Sequence, residues 1–102
     1  MQKEVSMIRE ECIARLKEAE PYIRETYEVK SMQMFGSTAR GTNTPDSDVD
    51  LFVDMPPKMS YLVRLGNYLE ELLGKSVDLV LPSNKPNAFL LNEIKRDGIT
   101  IF

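Results

Sequence analysis

A Gly-Ser pair and an Asp-x-Asp pair are the residues of this chain that are best suited to chemistry. Residues 38–47 separate Gly36 and Ser37 from Asp48 and Asp50. Glycine lets the backbone approach a ligand closely, and serine adds a hydroxyl group and an N–H that suit a phosphate. Paired carboxylates supply the hard oxygen ligands that divalent cations prefer. Together the two pairs indicate metal-dependent chemistry on a nucleoside triphosphate.

The aspartates belong to two predicted strands that alternate in the same way. The strand predicted over residues 49–54 places Asp48 and Asp50 on the face opposite its apolar residues, because side chains alternate between the faces of a strand. The strand predicted over residues 76–81 places Asp78 in the same manner. Carboxylates on one open face repel each other, and a cation removes that repulsion. If the strands are neighbours, the three aspartates converge and could hold two Mg²⁺ ions roughly 4 Å apart.

Apolar spacing and chain breakers predict the remaining elements. A terminal strand or tail is expected over residues 99–102, and a helical turn over residues 38–41 with a loop at 42–47. The order of elements predicts an α/β (α+β) fold, a single domain over residues 1–102 with a small mixed sheet backed by helices. The other predictions are a helix over about 3–20 that Pro21 ends or kinks, further turns over 22–27, a strand over 28–35, a helix from an N-cap at Ser60 to Gly74, and a helix over 86–97 with Phe89, Leu90 and Ile94 inward.

The composition excludes several classes of protein. A net charge of −3 and a pI near 5.0 argue against a general nucleic-acid binder. The sequence has no histidine, which excludes a histidine base and a Ser-His-Asp triad. Its single cysteine, Cys12, cannot form an internal disulfide and is expected to be a small core residue. No apolar run reaches membrane-spanning length, so a cytoplasmic protein is expected.

Arg40 and Ser47 each have two possible roles. Arg40 could neutralise a phosphate, or it could pair with a carboxylate such as Asp46 and stiffen the loop. Ser47 is expected to cap the turn rather than to take part in chemistry. The sequence leaves the role of Arg40 open.

The two pairs lie within a longer motif that resembles a known family. Residues 36–41 (GSTARG) followed by residues 47–53 (SDVDLFV) resemble the signature of the minimal nucleotidyltransferases (MNT) of the DNA polymerase β superfamily, and the strand SVDLV fits it too. The resemblance implies a polymerase-β-like palm in which Asp48 and Asp50 bind metal and Asp78 is the third catalytic carboxylate. It also implies that Gly36 and Ser37 hold the triphosphate of ATP.

The resemblance further implies a biological partner. Members of this family are often encoded beside a HEPN-domain protein, in pairs that resemble toxin–antitoxin systems. There the MNT protein is the antitoxin and transfers AMP from ATP to a tyrosine of the HEPN ribonuclease. Two alternatives remain open from the residues. The chain could neutralise its partner by binding alone, or it could modify a small molecule such as an antibiotic.

Overall fold

The computed structural model describes residues 3–42, 47–82 and 88–102, with side chains from Arg9 onward. We number its elements in chain order. They are α1 (Lys3–Glu18), α2 (Glu20–Tyr27), β1 (Ser31–Phe35), α3 (Gly36–Arg40), β2 (Val49–Asp54), α4 (Met59–Leu73), β3 (Val77–Val80), α5 (Ala88–Asp97) and β4 (Ile99–Thr100).

The strands of the described part of the chain form a mixed four-stranded sheet in the order β3-β2-β1-β4. Strand β1 pairs antiparallel with both β2 and β4, whereas β2 and β3 are parallel. Because parallel strands need a crossover connection, α4 joins β2 to β3. The prediction of a mixed sheet backed by helices is confirmed.

One face of the sheet forms the main core. Met34 and Leu51 are register partners on this face and are fully buried. The helices α1, α2 and α4 contribute Leu16, Ile23 and Leu69 to the same cluster, and all three are inaccessible to solvent. Cys12 is buried beside them, as predicted.

Strand β3 lies at the edge of the sheet, and no other described strand pairs with its outer side. The Val77 N–H donates a hydrogen bond to Glu70 Oε2 of α4, 3.2 Å away. A groove of about 370 Å³ lies between α4 and β3. It is lined by the apolar face of β3 and contains none of the predicted site residues.

Several predicted boundaries differ from those of the structure. Pro21 lies in the first turn of α2, where its missing N–H is not needed, so it helps to begin α2 after the break at residue 19. Strand β1 starts at Ser31 because Glu28 ends α2 in a left-handed conformation (φ 57°). The loop prediction over residues 43–46 lies outside the described residues. The predicted start of α5 at Pro86 lies outside them too.

Two predictions for the helices are wrong. The N-cap of α4 is Lys58 and not Ser60, which lies inside the helix. Phe89, predicted to face inward, is 72% exposed, whereas Ile94 is buried. Phe89 lies in the first turn of α5, and helical spacing alone does not show which turn reaches the core. No helix among the described residues is long and apolar enough to span a bilayer.

The buried face of α4 gives a stability prediction. Leu69→Ala should lower the free energy of unfolding by about 2–5 kcal/mol, because it removes a fully buried side chain and leaves a cavity. Val63→Ala on the same helix is the control, since Val63 is 53% exposed, and it should change stability by less than about 0.5 kcal/mol. Urea denaturation measures both. Equal effects of the two variants would contradict this assignment of the core.

Candidate active site

The turn at Gly36 lies directly against the carboxylate of Asp50. Phe35 and Asp50 are register partners, so the chain leaving β1 turns over the Asp50 side chain. Gly36 has a φ of +79°, which favours glycine, and a Cβ atom there would collide with Asp50 Oδ2. The structure therefore explains Gly36 by its approach to Asp50, an intramolecular reason that the sequence did not reveal.

Helix α3 begins at Gly36, two residues before the predicted start of the helical turn at Thr38. Gly41 ends it in a left-handed conformation (φ +78°), with its N–H bonded to the Thr38 carbonyl. Ser37, at the second position of α3, is partly buried. Gly36 and Ser37 thus follow β1 immediately, at the same end of the sheet as Asp50.

Two residues that sequence reasoning missed attach α3 to its surroundings. Thr38 is fully buried, and its hydroxyl donates a hydrogen bond to the Asp48 carbonyl at 3.4 Å. Arg9 of α1 donates from Nη1 to the Ala39 carbonyl at 3.1 Å. The position of Thr38 inside the motif was a usable signal. For Arg9 the sequence carries none, because it lies far from the motif on an exposed-looking helix position.

The predicted aspartates lie on neighbouring parallel strands. Asp50 and Asp78 are register partners, which confirms that the second and third predicted strands are adjacent. Asp50 is partly buried, whereas Asp48 and Asp78 are exposed. Within the described ranges, no three acidic or cysteine side chains stand close enough together to hold a metal ion. A three-ligand cation site would therefore need these carboxylates to turn toward one another.

The electrostatics of Asp50 nevertheless fit a cation. The pKa of Asp50 is raised to about 6, first by burial and then by the negative charges of Asp78, Asp48 and Glu93, while Arg40 opposes the shift. The repulsion predicted from the strand pattern is therefore present. An all-oxygen set of ligands with excess negative charge matches Mg²⁺ chemistry.

Arg40 contacts carboxylates of α5. Its Nη1 atom lies 3.4 Å from Asp97 Oδ2 and 3.7 Å from Glu93 Oε2. Of the two roles open from the sequence, the structure shows carboxylate pairing, although with residues that were not predicted. Asp46, the suggested partner, lies outside the described residues.

Gly36→Ala should destabilise the protein more than Gly74→Ala. Both glycines have positive φ, +79° and +69°, but a Cβ at residue 74 would meet no atom within 4 Å. We expect a loss of about 1 kcal/mol for Gly74→Ala and roughly 1–3 kcal/mol more for Gly36→Ala, because overpacking adds to the backbone strain. Chemical denaturation gives both values. Adding Asp50→Ala to Gly36→Ala should remove most of the excess, and an unchanged excess would contradict the steric explanation.

Asp50→Asn should stabilise the metal-free protein at neutral pH. The folded protein retains a proton at Asp50 up to a pKa of about 6, whereas the unfolded chain loses it near 3.8. The free energy of unfolding should therefore fall as the pH rises from about 4 to about 6. Asn removes this loss, a gain of roughly 1–2 kcal/mol at pH 7 after allowance for the partial exposure of Asp50.

The measurement is urea denaturation between pH 4 and pH 8 in the presence of a chelator. Asp54→Asn, at the exposed end of the same strand, is the control and should follow the wild type at each pH. Parallel curves for Asp50→Asn and wild type would show that the charge of Asp50 carries no such cost.

The sequence matches known proteins over most of its length. The family model of the nucleotidyltransferase domain matches residues 16–101. A candidate protein adenylyltransferase of Methanocaldococcus jannaschii is 34% identical over 90 residues, which cover 84% of this chain and 90% of that protein. The protein adenylyltransferase MntA of Thermococcus cleftensis is 44% identical over 64 residues, or 61% of this chain and 65% of that protein.

Solved structures share the fold. A structure described as a minimal nucleotidyltransferase superposes with a TM-score of 0.65 at 28% identity, over 93% of each chain. A toxin–antitoxin complex with AMP-PNP gives 0.66 at 20% identity, over 84% of this chain and 72% of that chain. The complex of a tri-AMPylated HEPN toxin of Shewanella oneidensis with its MNT antitoxin gives 0.56 at 18% identity, over 96% and 71%.

These matches agree with the fold described above. They confirm the predicted fold class and the prediction of an enzyme of the nucleotidyltransferase type. The chain belongs to the nucleotidyltransferase domain family, and its relatives include proteins named protein adenylyltransferases.

Proposed function

We propose that this protein transfers AMP from ATP to a hydroxyl group of a HEPN-type toxin and thereby acts as an antitoxin. The observation that carries the proposal is the placement of Asp50 between the Gly36 turn and its register partner Asp78. This brings a phosphate-compatible turn and carboxylates on adjacent strands to one end of the sheet. The names of the relatives support protein as the acceptor, and the toxin–antitoxin neighbours support the partner.

The aspartates would hold two Mg²⁺ ions, and Gly36 and Ser37 would hold the phosphates. Bound Mg²⁺ would neutralise charge on the phosphates and polarise the oxygens that it contacts. The acceptor hydroxyl releases its proton to solvent, and its oxygen forms a new bond to the α-phosphorus. The bond from that phosphorus to the bridging oxygen breaks, and pyrophosphate leaves. The chain contributes mainly positioning and electrostatic complementarity.

Asp78 would be accessible to the acceptor. It is exposed on the edge strand β3, beside Asp50. The family resemblance assigns the third carboxylate to activation of the attacking hydroxyl, and its exposed position leaves room for a protein acceptor. We propose a tyrosine as that acceptor. A cytoplasmic location is part of the same proposal, because the reaction needs ATP.

Binding without catalysis is the second candidate function. Its support is that the carboxylates of the described residues do not stand together as a ready metal site. A protein of that kind would silence its partner by docking, whatever the charge at Asp48. The remaining alternative is transfer to a small molecule. It would require that such a molecule be labelled when no partner protein is present.

Asp48→Asn and Asp50→Asn should each reduce AMP transfer by at least about 100-fold and leave the fold intact, because each removes charge that complements the phosphates and their metal. The assay incubates this protein or its variant with α-labelled ATP, Mg²⁺ and the protein encoded by the adjacent gene, and it measures label on that second protein. Asp54→Asn is the matched control on the same strand and should keep near-normal transfer. Transfer at the wild-type rate by Asp48→Asn or Asp50→Asn would refute the catalytic assignment.

The same assay separates the two candidate functions. If the wild-type protein places no label on the partner, and the Asp48→Asn protein still inhibits the partner fully, the protein is a docking antitoxin. Label on the partner that is lost in the variants would establish the adenylyltransferase.

A further inference from the structure

The Gly36–Ser37 turn belongs to a helix that is too short to be stable without tertiary contacts. Helix α3 has five residues, and isolated helices this short are unstable in water. The position of the turn therefore depends on contacts between α3 and the rest of the protein. Any residue that supplies such a contact also controls the geometry of the proposed phosphate site.

Three side-chain contacts connect α3 to three different parts of the protein. Thr38 bonds to the chain just before β2, and Arg9 bonds to the Ala39 carbonyl from α1. Arg40 at the last position of α3 supplies the third contact, to Asp97 and Glu93 of α5. Helices α3 and α5 also pack against each other. Arg40 thus links the Gly36–Ser37 turn to α5.

The carboxylate partners of Arg40 are themselves fixed. The side chains of Asp97 and Glu93 are only 16% and 21% exposed. Asp97 also accepts hydrogen bonds from Arg96, from Nη2 at 3.1 Å and from Nε at 3.2 Å. Two arginines therefore balance two carboxylates within a compact cluster.

Moving Arg40 to a phosphate would unbalance this cluster. Arg96, which pairs with Asp97 and interacts electrostatically with Glu93, would remain beside them. The negative charge of Glu93 also acts on Asp50. The excess negative charge would lie beside the aspartates and beside the incoming triphosphate, which carries negative charge itself. The ion pairs with Asp97 and Glu93 therefore compete with a phosphate for Arg40.

We propose that Arg40 is a positioning residue that fixes the Gly36–Ser37 turn against α5 through Asp97 and Glu93, and that it does not itself bind the nucleotide. This inference rests on the proposed function, because it takes the turn to be the triphosphate site. It assigns Asp97 and Glu93, which have no place in the signature motif, to the same task.

The two possible roles of Arg40 predict different results for its partners. If Arg40 positions the turn, removing the charges of Asp97 and Glu93 should weaken nucleotide binding as much as removing Arg40 does. If Arg40 binds phosphate directly, the same change releases it from competing carboxylates, and binding should stay the same or tighten. The carboxylate variants are therefore more informative than Arg40 variants.

The test measures the Kd of AMP-PNP with Mg²⁺ by calorimetry for the wild type, Arg40→Gln, the Glu93→Gln/Asp97→Asn double variant and the triple variant. We expect Kd to rise about tenfold for Arg40→Gln and for the double variant, with no further rise in the triple variant. Asp97→Asn alone replaces the double variant if the latter does not fold. Glu20→Gln, which removes the 2.6 Å pair with Arg24 on α2, is the matched control and should leave Kd unchanged.

Hydrogen exchange provides the structural readout at the Gly41 and Thr42 amides, which bond to the Thr38 and Ser37 carbonyls. Exchange at both should accelerate in the Arg40 and α5 variants at temperatures where urea denaturation shows a folded protein. An unchanged or lower Kd for the carboxylate variants would overturn the inference and leave the proposed function standing. Absence of AMP-PNP binding by the wild type would overturn both.

Discussion

The contact between the Gly36 backbone and the Asp50 carboxylate is the constraint on which the rest of the site depends. Antiparallel pairing of β1 with β2 brings Phe35 opposite Asp50, so the chain must turn directly over this side chain. Only a residue without a Cβ can make that turn. The start of α3 and the position of Ser37 follow from this one approach.

The end of the sheet that carries Asp50 and Asp78 lowers the stability of the protein. Val49, Leu51 and Val53 are fully buried, whereas the alternate residues of β2 place negative charges on the other face. The raised pKa of Asp50 records the repulsion and desolvation that result. The free-energy cost of these charges must be offset by other interactions. Here the buried face of the same strand stabilises it. Alternation along a strand thus combines a stabilising core and a face of mutually repelling charges in one short segment.

Sequence reasoning succeeded where periodicity and spacing decide the structure. The bounds of β2 and the C-terminal Gly74 of α4 were predicted correctly, because strand alternation and a glycine stop are local signals. Phe89 and Ser60 were assigned wrongly, since helical spacing does not show which turn reaches the core and a serine does not ensure a cap. Arg9, Asp97 and Glu93 could not have been found, because their contacts join residues far apart in the chain. The motif indicated the candidate site, whereas the tertiary contacts around it were visible only in three dimensions.

The hydrogen bond from Val77 to Glu70 bears on how this protein meets other chains. Edge strands offer unpaired amides to which further strands can add, and proteins protect such edges with charges. The Glu70 carboxylate occupies the first amide of β3, so a strand that added there would have to displace a charged acceptor. The acidic side chain also repels a second copy of the same edge. This arrangement disfavours the addition of a further strand at the edge that carries Asp78.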